Sequence, residues 1–170
     1  MMRSRSKTRA FSLVELVIVV VIIGVIAAIA VPRISRGAKG AGQSAVRGSL
    51  ASLRNAIDMY AAEHGGAFPA SGTVNTEALL IDQLTKTTKF DGTEGTGPGF
   101  IYGPYLRKGF PTVPVGPQAG KAFGVEMTGT SPPASNELLT TKGWVYCWTT
   151  GEIIANTNDP DENGVLFDTY

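Results

Sequence analysis

FSLVELVIVVVIIGVIAAIAV, residues 11–31, is an apolar run broken by a single charge. As an α-helix, 21 residues rise about 31 Å, enough to cross a hydrocarbon core of about 30 Å. Ten residues precede the run, and Arg3, Arg5, Lys7 and Arg9 stand among them with no acid. A basic flank ahead of a spanning helix predicts a cytoplasmic N-terminus. A secretory signal peptide would have a shorter apolar stretch and a small-residue cleavage site after it; Ala28-Ile29-Ala30 superficially resembles such a site. A plain membrane anchor would have no acid in its first turn. Neither alternative explains Glu15.

A carboxylate near the start of a membrane helix is costly, roughly 2.5–3.5 kcal/mol at the bilayer centre and less near the interface. Such a residue is functional by default and needs a partner. No base lies between Phe11 and Val31 to supply one. Cleavage between Ala10 and Phe11 would create it, as a new α-amino group at the membrane end of the helix. The chain's own Glu15 lies one turn away, and a neighbour's Glu15 comes within reach if two helices are staggered. Pairing offsets the burial of both charges and sets the axial register between subunits.

KTRAFSLVEL, residues 7–16, resembles the cleavage and methylation motif of type IV pilins and type II secretion pseudopilins, and the resemblance extends over about Arg9 to Arg33. The family usually has Gly where this chain has Ala10, also a small residue. The resemblance implies a prepilin peptidase that cuts after Ala10, N-methylation of Phe11, and Glu15 as the assembly carboxylate. It also implies that the helix can weaken around Gly24 and Pro32 as a filament extends. Gly costs about 1 kcal/mol relative to Ala in a helix and Pro about 3 or more. The simpler reading is that Pro32 marks the membrane exit.

Beyond Pro32, Val46, Leu50, Leu53, Ile57 and Tyr60 recur at spacings of four, three, four and three, which is one helical stripe. Arg47, Arg54, Asp58 and Glu63 fall off it, and Gly65-Gly66 is a strong helix stop. One long helix from about Phe11 to His64 is expected, its middle weakened by Gly37, Gly40, Gly42 and Gly48. His64, the only histidine, reads as a solvated residue near the helix dipole.

A short helix is expected over Glu77–Leu84, capped by Asn75 or Thr76, with Leu79, Leu80 and Leu84 apolar. Residues 87–121 are rich in Gly and Pro and read mostly as loop. GTEGTGPG at 92–99 lacks the GK[ST] ending and the preceding strand of a phosphate loop. Trp144-Val145-Tyr146-Cys147-Trp148 is a strand signal, with Trp144, Tyr146 and Trp148 on one face. Thr149-Thr150-Gly151 suits a hairpin turn and Glu152 to Asn156 the return strand. Cys147, the only cysteine, reads as an inert buried thiol. This order is similar to the pilin fold. It is an α+β architecture in which a long N-terminal α-helix packs against a small antiparallel β-sheet head. Pro104 to Pro114 also resembles the pre-sheet segment of major pseudopilins.

Asn156 to Gly164 is an oxygen-rich loop. Asp159, Asp161, Asn163 and Gly164 match the first half of a D-x-[DN]-x-[DN]-G calcium loop. The closing Glu of such a loop is absent, and Asp168 is the nearest substitute. Major pseudopilins bind calcium near their C-terminal sheet, so the resemblance implies Ca²⁺ here; the alternative is a solvated turn.

Hydrophobic residues make up an ordinary 43% of the 170, but many sit in residues 11–31, so the remainder can bury only a small core. The net charge of +1 hides an asymmetry: without the four leading bases, eleven bases face fourteen acids, a net of −3. No basic stripe supports nucleic-acid binding. No Ser/His/Asp or Cys/His grouping suggests catalysis, and no enzymatic activity is expected.

The chain therefore divides into a leader, 1–10; a membrane and polymerisation half-helix, 11–33; an amphipathic half-helix, 34–64; and a globular head with a C-terminal hairpin, 65–170. The function implied is a filament subunit assembled from the bacterial inner membrane, with a cytoplasmic N-terminus and an outward-facing head. Expected partners are further copies of the chain, the prepilin peptidase/methyltransferase, an inner-membrane assembly platform, minor pseudopilins and the lipid bilayer. A type II secretion pseudopilus leads, since one Cys cannot form the C-terminal disulfide loop common in type IV pilins. The alternatives are a type IV pilus pilin, and, from another class, a membrane-tethered calcium-binding module that never polymerises.

Overall fold

Helix α1 runs from Leu13 to Glu63, continuous through Gly24 and Pro32 as the apolar run and the stripe together predict. The structure is a computed structural model and describes residues 11–120, 124–135 and 141–170. Two compact units divide between Ala38 and Lys39. The first contains the apolar part of α1, whose side chains from Phe11 to Ile29 are all exposed. The second, Lys39–Tyr170, holds the core.

That core forms around the predicted stripe. Val46, Leu50, Leu53, Ile57 and Tyr60 are all buried on one side of α1. Each contributes about 1.5–3 kcal/mol relative to an exposed position. α1 stops where the glycines demand it: Gly65 and Gly66 both take positive φ, and the Gly66 N–H closes on the Ala61 carbonyl at 2.8 Å.

His64 departs from expectation. It is buried, not solvated. Its ring stacks on Tyr60 at 3.8 Å between centroids. Nδ1 lies 2.7 Å from the Tyr60 carbonyl, and Nε2 lies 3.0 Å from both the Thr88 hydroxyl and the Lys89 carbonyl. The cause is tertiary: residues 88–102 fold back over the end of α1, pinned by the Thr88–Tyr102 bridge. The loop supplies partners that local sequence around residue 64 does not reveal.

Helix α2 spans Glu77–Thr85, and Thr76 is its cap, accepting from the Leu79 N–H at 3.3 Å. Leu80 and Leu84 point into the core. Gln83, also buried, ties two loops to α2: its carbonyl accepts from the Ala70 N–H at 2.7 Å and its amide donates to the Gly92 carbonyl at 3.0 Å. Residues 104–114 pack as a non-helical strap. The Tyr105 and Leu106 N–H groups satisfy the otherwise orphaned Leu84 carbonyl at the end of α2. Leu106, Phe110 and Val113 enter the core.

The sheet has three strands in the order β1-β2-β3: β1 Val125–Thr128, β2 Trp144–Cys147 and β3 Ile153–Ala155. β2 and β3 form the expected antiparallel hairpin, with Tyr146 opposite Ile153. Gly151 turns it at φ 74°. β1 pairs with β2 in parallel, Val125 opposite Trp144, so the sheet is mixed where an antiparallel one was expected. Trp144 and Tyr146 join the α1 stripe in one cluster, with Trp148 against it. Trp144 Nε1–H donates to the Pro111 carbonyl and the Tyr146 hydroxyl to the Pro69 carbonyl, each at 2.9 Å. Val145 and Cys147, on the opposite face, are buried too, as befits a central strand.

Candidate functional site

Leu13 to Ala30 is an 18-residue window of mean hydropathy 3.2, and none of its residues is buried among the described residues. Water does not tolerate so large an apolar cylinder, and a bilayer or other copies of the helix must cover it. Phe11 lies at its start, 76% exposed and two residues ahead of α1. Ala10 and the four leading bases lie outside the described residues.

Glu15 occupies the first turn of α1. The Ser12 carbonyl accepts the Leu16 N–H at 3.2 Å, which puts Ser12 at the cap and Glu15 three residues beyond it. That is the S-x-x-E spacing of a capping box, a pattern that sequence inspection can find and that favours a helix start here. The carboxylate also opposes the positive end of the helix dipole. It is nonetheless exposed on an apolar surface, and no described residue hydrogen-bonds to its side chain.

Gly24 has open space around its α-carbon. Pro32 sits inside α1 and has no N–H, so the Ala28 carbonyl loses its usual helical partner. The helix is nonetheless continuous through both positions.

The acidic C-terminal loop has a different occupation from the one its spacing suggests. Asp161 is buried. Its Oδ1 accepts the N–H groups of Asn163 at 2.7 Å and Val165 at 2.9 Å. Its Oδ2 accepts Gln43 Nε2–H at 2.7 Å and the Tyr170 hydroxyl at 2.6 Å. The Tyr170 hydroxyl leads the effects that hold the Asp161 carboxyl below the usual range, the N–H groups of Val165 and Asn163 add to it, and burial opposes them. Four protein donors thus fill the carboxylate that would have led a calcium set. Asp159 and Asn163 are exposed, and Asp168 lies half-buried on the 3-10 turn Phe167–Thr169. Among the described residues no cluster of three or more Asp, Glu, His or Cys is gathered to hold a metal. Ca²⁺ requires six to eight oxygens, and these residues do not fit it.

What this carboxylate builds is a lock between α1 and the chain's last residues. Gln43 Nε2 also contacts the Tyr170 hydroxyl at 2.9 Å. Arg54 donates to the Tyr170 and Ile153 carbonyl oxygens at 2.8 and 3.2 Å. The Arg47 guanidinium lies 4.8 Å from the centre of the Tyr170 ring. Gln43, Arg54 and Tyr170 carry no motif. The only signal was that Gln43 stands one helical step outside the apolar stripe, where a buried polar residue must find a partner.

Residues 5–31 match the prokaryotic N-terminal methylation motif, which is typical of type IV pilins and pseudopilins. No curated protein and no solved structure matches the chain. The matched window contains Ala10, Phe11, Glu15 and Gly24, and ends at Val31, just before Pro32. Proteins that carry this motif are typically structural subunits of filaments, and the motif implies processing by prepilin peptidase.

Proposed function

We propose that this chain is a structural subunit of a type II secretion pseudopilus, a filament that grows from the inner membrane and drives exported proteins outward. The observation that carries the reading is the solitary Glu15 on an exposed, membrane-length apolar helix. Peptidase cleavage after Ala10 frees the Phe11 amine, and methylation leaves that amine cationic. The amine and Glu15 are four residues apart, so the Phe11 of one copy meets the Glu15 of another when the helices are offset by about 6 Å. Each added subunit brings one amine and one carboxylate, so every buried charge but those at the filament ends has a partner. Gly24 and Pro32 give the packed helices a place to lengthen under load.

The preference for a pseudopilus over a type IV pilus rests on Cys147 being the only cysteine, and buried. No disulfide can close a C-terminal loop. An inner-membrane assembly platform and minor pseudopilins are the further partners this reading requires. The tethered calcium module would need a ligand set at Asp159, Asp161, Asn163 and Asp168, and Asp161 is committed elsewhere.

The test is made in the native organism at native expression. Filaments are sheared from the surface, the envelope is fractionated, and the N-terminus of the protein is read by mass spectrometry. Methylated Phe11 in envelope-bound polymer is expected. Methylated protein in long sheared filaments would move the assignment to a surface pilus. An uncut chain would refute processing. Glu15→Val should still insert into the membrane yet fail to polymerise; a polymer formed normally by that variant would overturn the role of Glu15.

A further inference from the structure

We infer that the groove beside Arg107 and Lys108 receives the Asp159–Glu162 turn of a second copy of the chain. The inference rests on the filament reading above and names the surface through which neighbouring heads meet.

The groove is open, about 660 Å³, and lies between the strap residues 105–111 and one flank of α1 formed by Ala45, Gly48, Ser49 and Ser52. Small side chains there allow another chain to come close. Its rim carries Arg107 and Lys108, both exposed. Neither is in an ion pair among the described residues, whereas Lys86 pairs with Asp82 and Glu94, and Lys142 with Glu77. Two adjacent cations on the groove's rim thus have no ion-pair partner among the described residues.

The complementary charge is in the same chain but on the opposite flank. Ser52 and Arg54 project about 100° to either side of the buried Leu53. The groove lies on the Ser52 side. The C-terminal segment lies on the Arg54 side, since Arg54 holds Tyr170 and Gln43 holds Asp161. Asp161 spends its charge on the lock, which fixes the backbone and leaves Asp159 and Glu162 exposed on either side of it, neither in an ion pair among the described residues. The cationic groove is on one flank and the anionic turn on the other, so among the described residues the two do not pair within one chain. Each can pair with its counterpart on a neighbour, and the contact is heterologous, so it propagates instead of closing in a pair.

The groove and the turn sit at different levels along α1. The acidic turn is level with residues 40–43 of α1 and the groove with residues 45–52. Bringing one to the other shifts a copy toward its C-terminal end by about 10 Å.

The experiment uses the full chain in its native host. Arg107→Glu with Lys108→Glu, and separately Asp159→Lys with Glu162→Lys, should each cut recovered filament at least about tenfold, because like charges then face each other. All four changes together should restore most of it. Lys108→Cys with Glu162→Cys should give an oxidation-dependent ladder of cross-linked multimers, and where rescue is incomplete the ladder decides. Melting of each variant in detergent controls for folding.

Filaments at the wild-type level from either reversal would overturn the inference and leave the filament reading standing. So would loss of assembly with neither rescue nor ladder. Normal filaments with failed export would mean that the groove holds the exported protein, which also overturns it. A wild-type chain that never polymerises would overturn both readings.

Discussion

Replacing Gln43 by Ala tests whether the polar lock, as well as the apolar core, holds the C-terminal segment to α1. The side chain is buried and gives one hydrogen bond to the Asp161 carboxylate at 2.7 Å and one to the Tyr170 hydroxyl at 2.9 Å. A bond to an ionised acceptor contributes about 1.5–3 kcal/mol and a neutral one about 0.5–1.5. Water can enter the vacated space, and Ala is the better helix former by a few tenths of a kcal/mol. The net loss is therefore set at about 2–3 kcal/mol. For a unit of this size that corresponds to a fall in melting temperature of roughly 5–12 °C. The assay is thermal unfolding of the full chain in detergent, followed by near-ultraviolet circular dichroism of Trp144 and Trp148. Amide exchange adds a local readout. The Asn163 and Val165 amides, which donate to Asp161 Oδ1, should exchange faster. Gln43→Glu places a second carboxylate against Asp161 and should fall further. Melting of Gln43→Ala within about 1 °C of wild type, with unchanged exchange at Asn163 and Val165, would refute the reasoning.

Three more outcomes are expected. The folded Asp161 carboxyl is held below its ordinary range, so its contribution is complete above about pH 4, where it is ionised even in the unfolded chain. It is lost as pH falls through the lower folded value; a melting curve against pH should show the C-terminal amides loosening on that acidic side, and a loss beginning between pH 5 and 7 would contradict the lock. Millimolar Ca²⁺ should leave the melting temperature unchanged, and a rise of several degrees would show that the C-terminal carboxylates do assemble around the ion. Gly92→Ala should cost about 2–4 kcal/mol, since an alanine at positive φ is strained and its Cβ would fall 2.5 Å from the Tyr60 hydroxyl and 2.9 Å from Gln83 Nε2; a variant that melts like wild type would show that the loop relaxes freely.

Features written in local periodicity were legible before the structure. The stripe from Val46 to Tyr60, the stop at Gly65-Gly66, the Thr76 cap and the Trp144–Cys147 strand each follow from a rule that acts within a few residues. Features made by distant partners were not. His64 is buried by a loop some twenty-five residues later. β1 joins the sheet in parallel, and nothing in Val125–Thr128 signals which strand it will meet or in which direction. The acidic loop was ambiguous for a related reason: alternate oxygens describe a calcium loop and an Asp-centred turn equally well. The side chains that bond Asp161 here, Gln43 and Tyr170, are 118 and nine residues from it.

The two carboxylates, Glu15 and Asp161, are read by the same physics with opposite results. Each stands where an unpartnered charge would be costly. Asp161 is answered within the chain by four donors, and its effect is local rigidity. Glu15 is answered by no described residue of its own chain, and the motif around it provides for a cation to be made by cleavage. An internal partner would leave Glu15 as one more contribution to monomer stability. An external one makes the free monomer the less favourable state and the filament the place where the charge is met. The burial pattern repeats the division: the Val46–Tyr60 stripe of α1 is covered by its own head, whereas among the described residues none of Leu13–Ala30 is buried. A helix that satisfies itself over one half and leaves the other half both apolar and singly charged is unstable alone in water and incomplete alone in a bilayer. Assembly relieves both conditions.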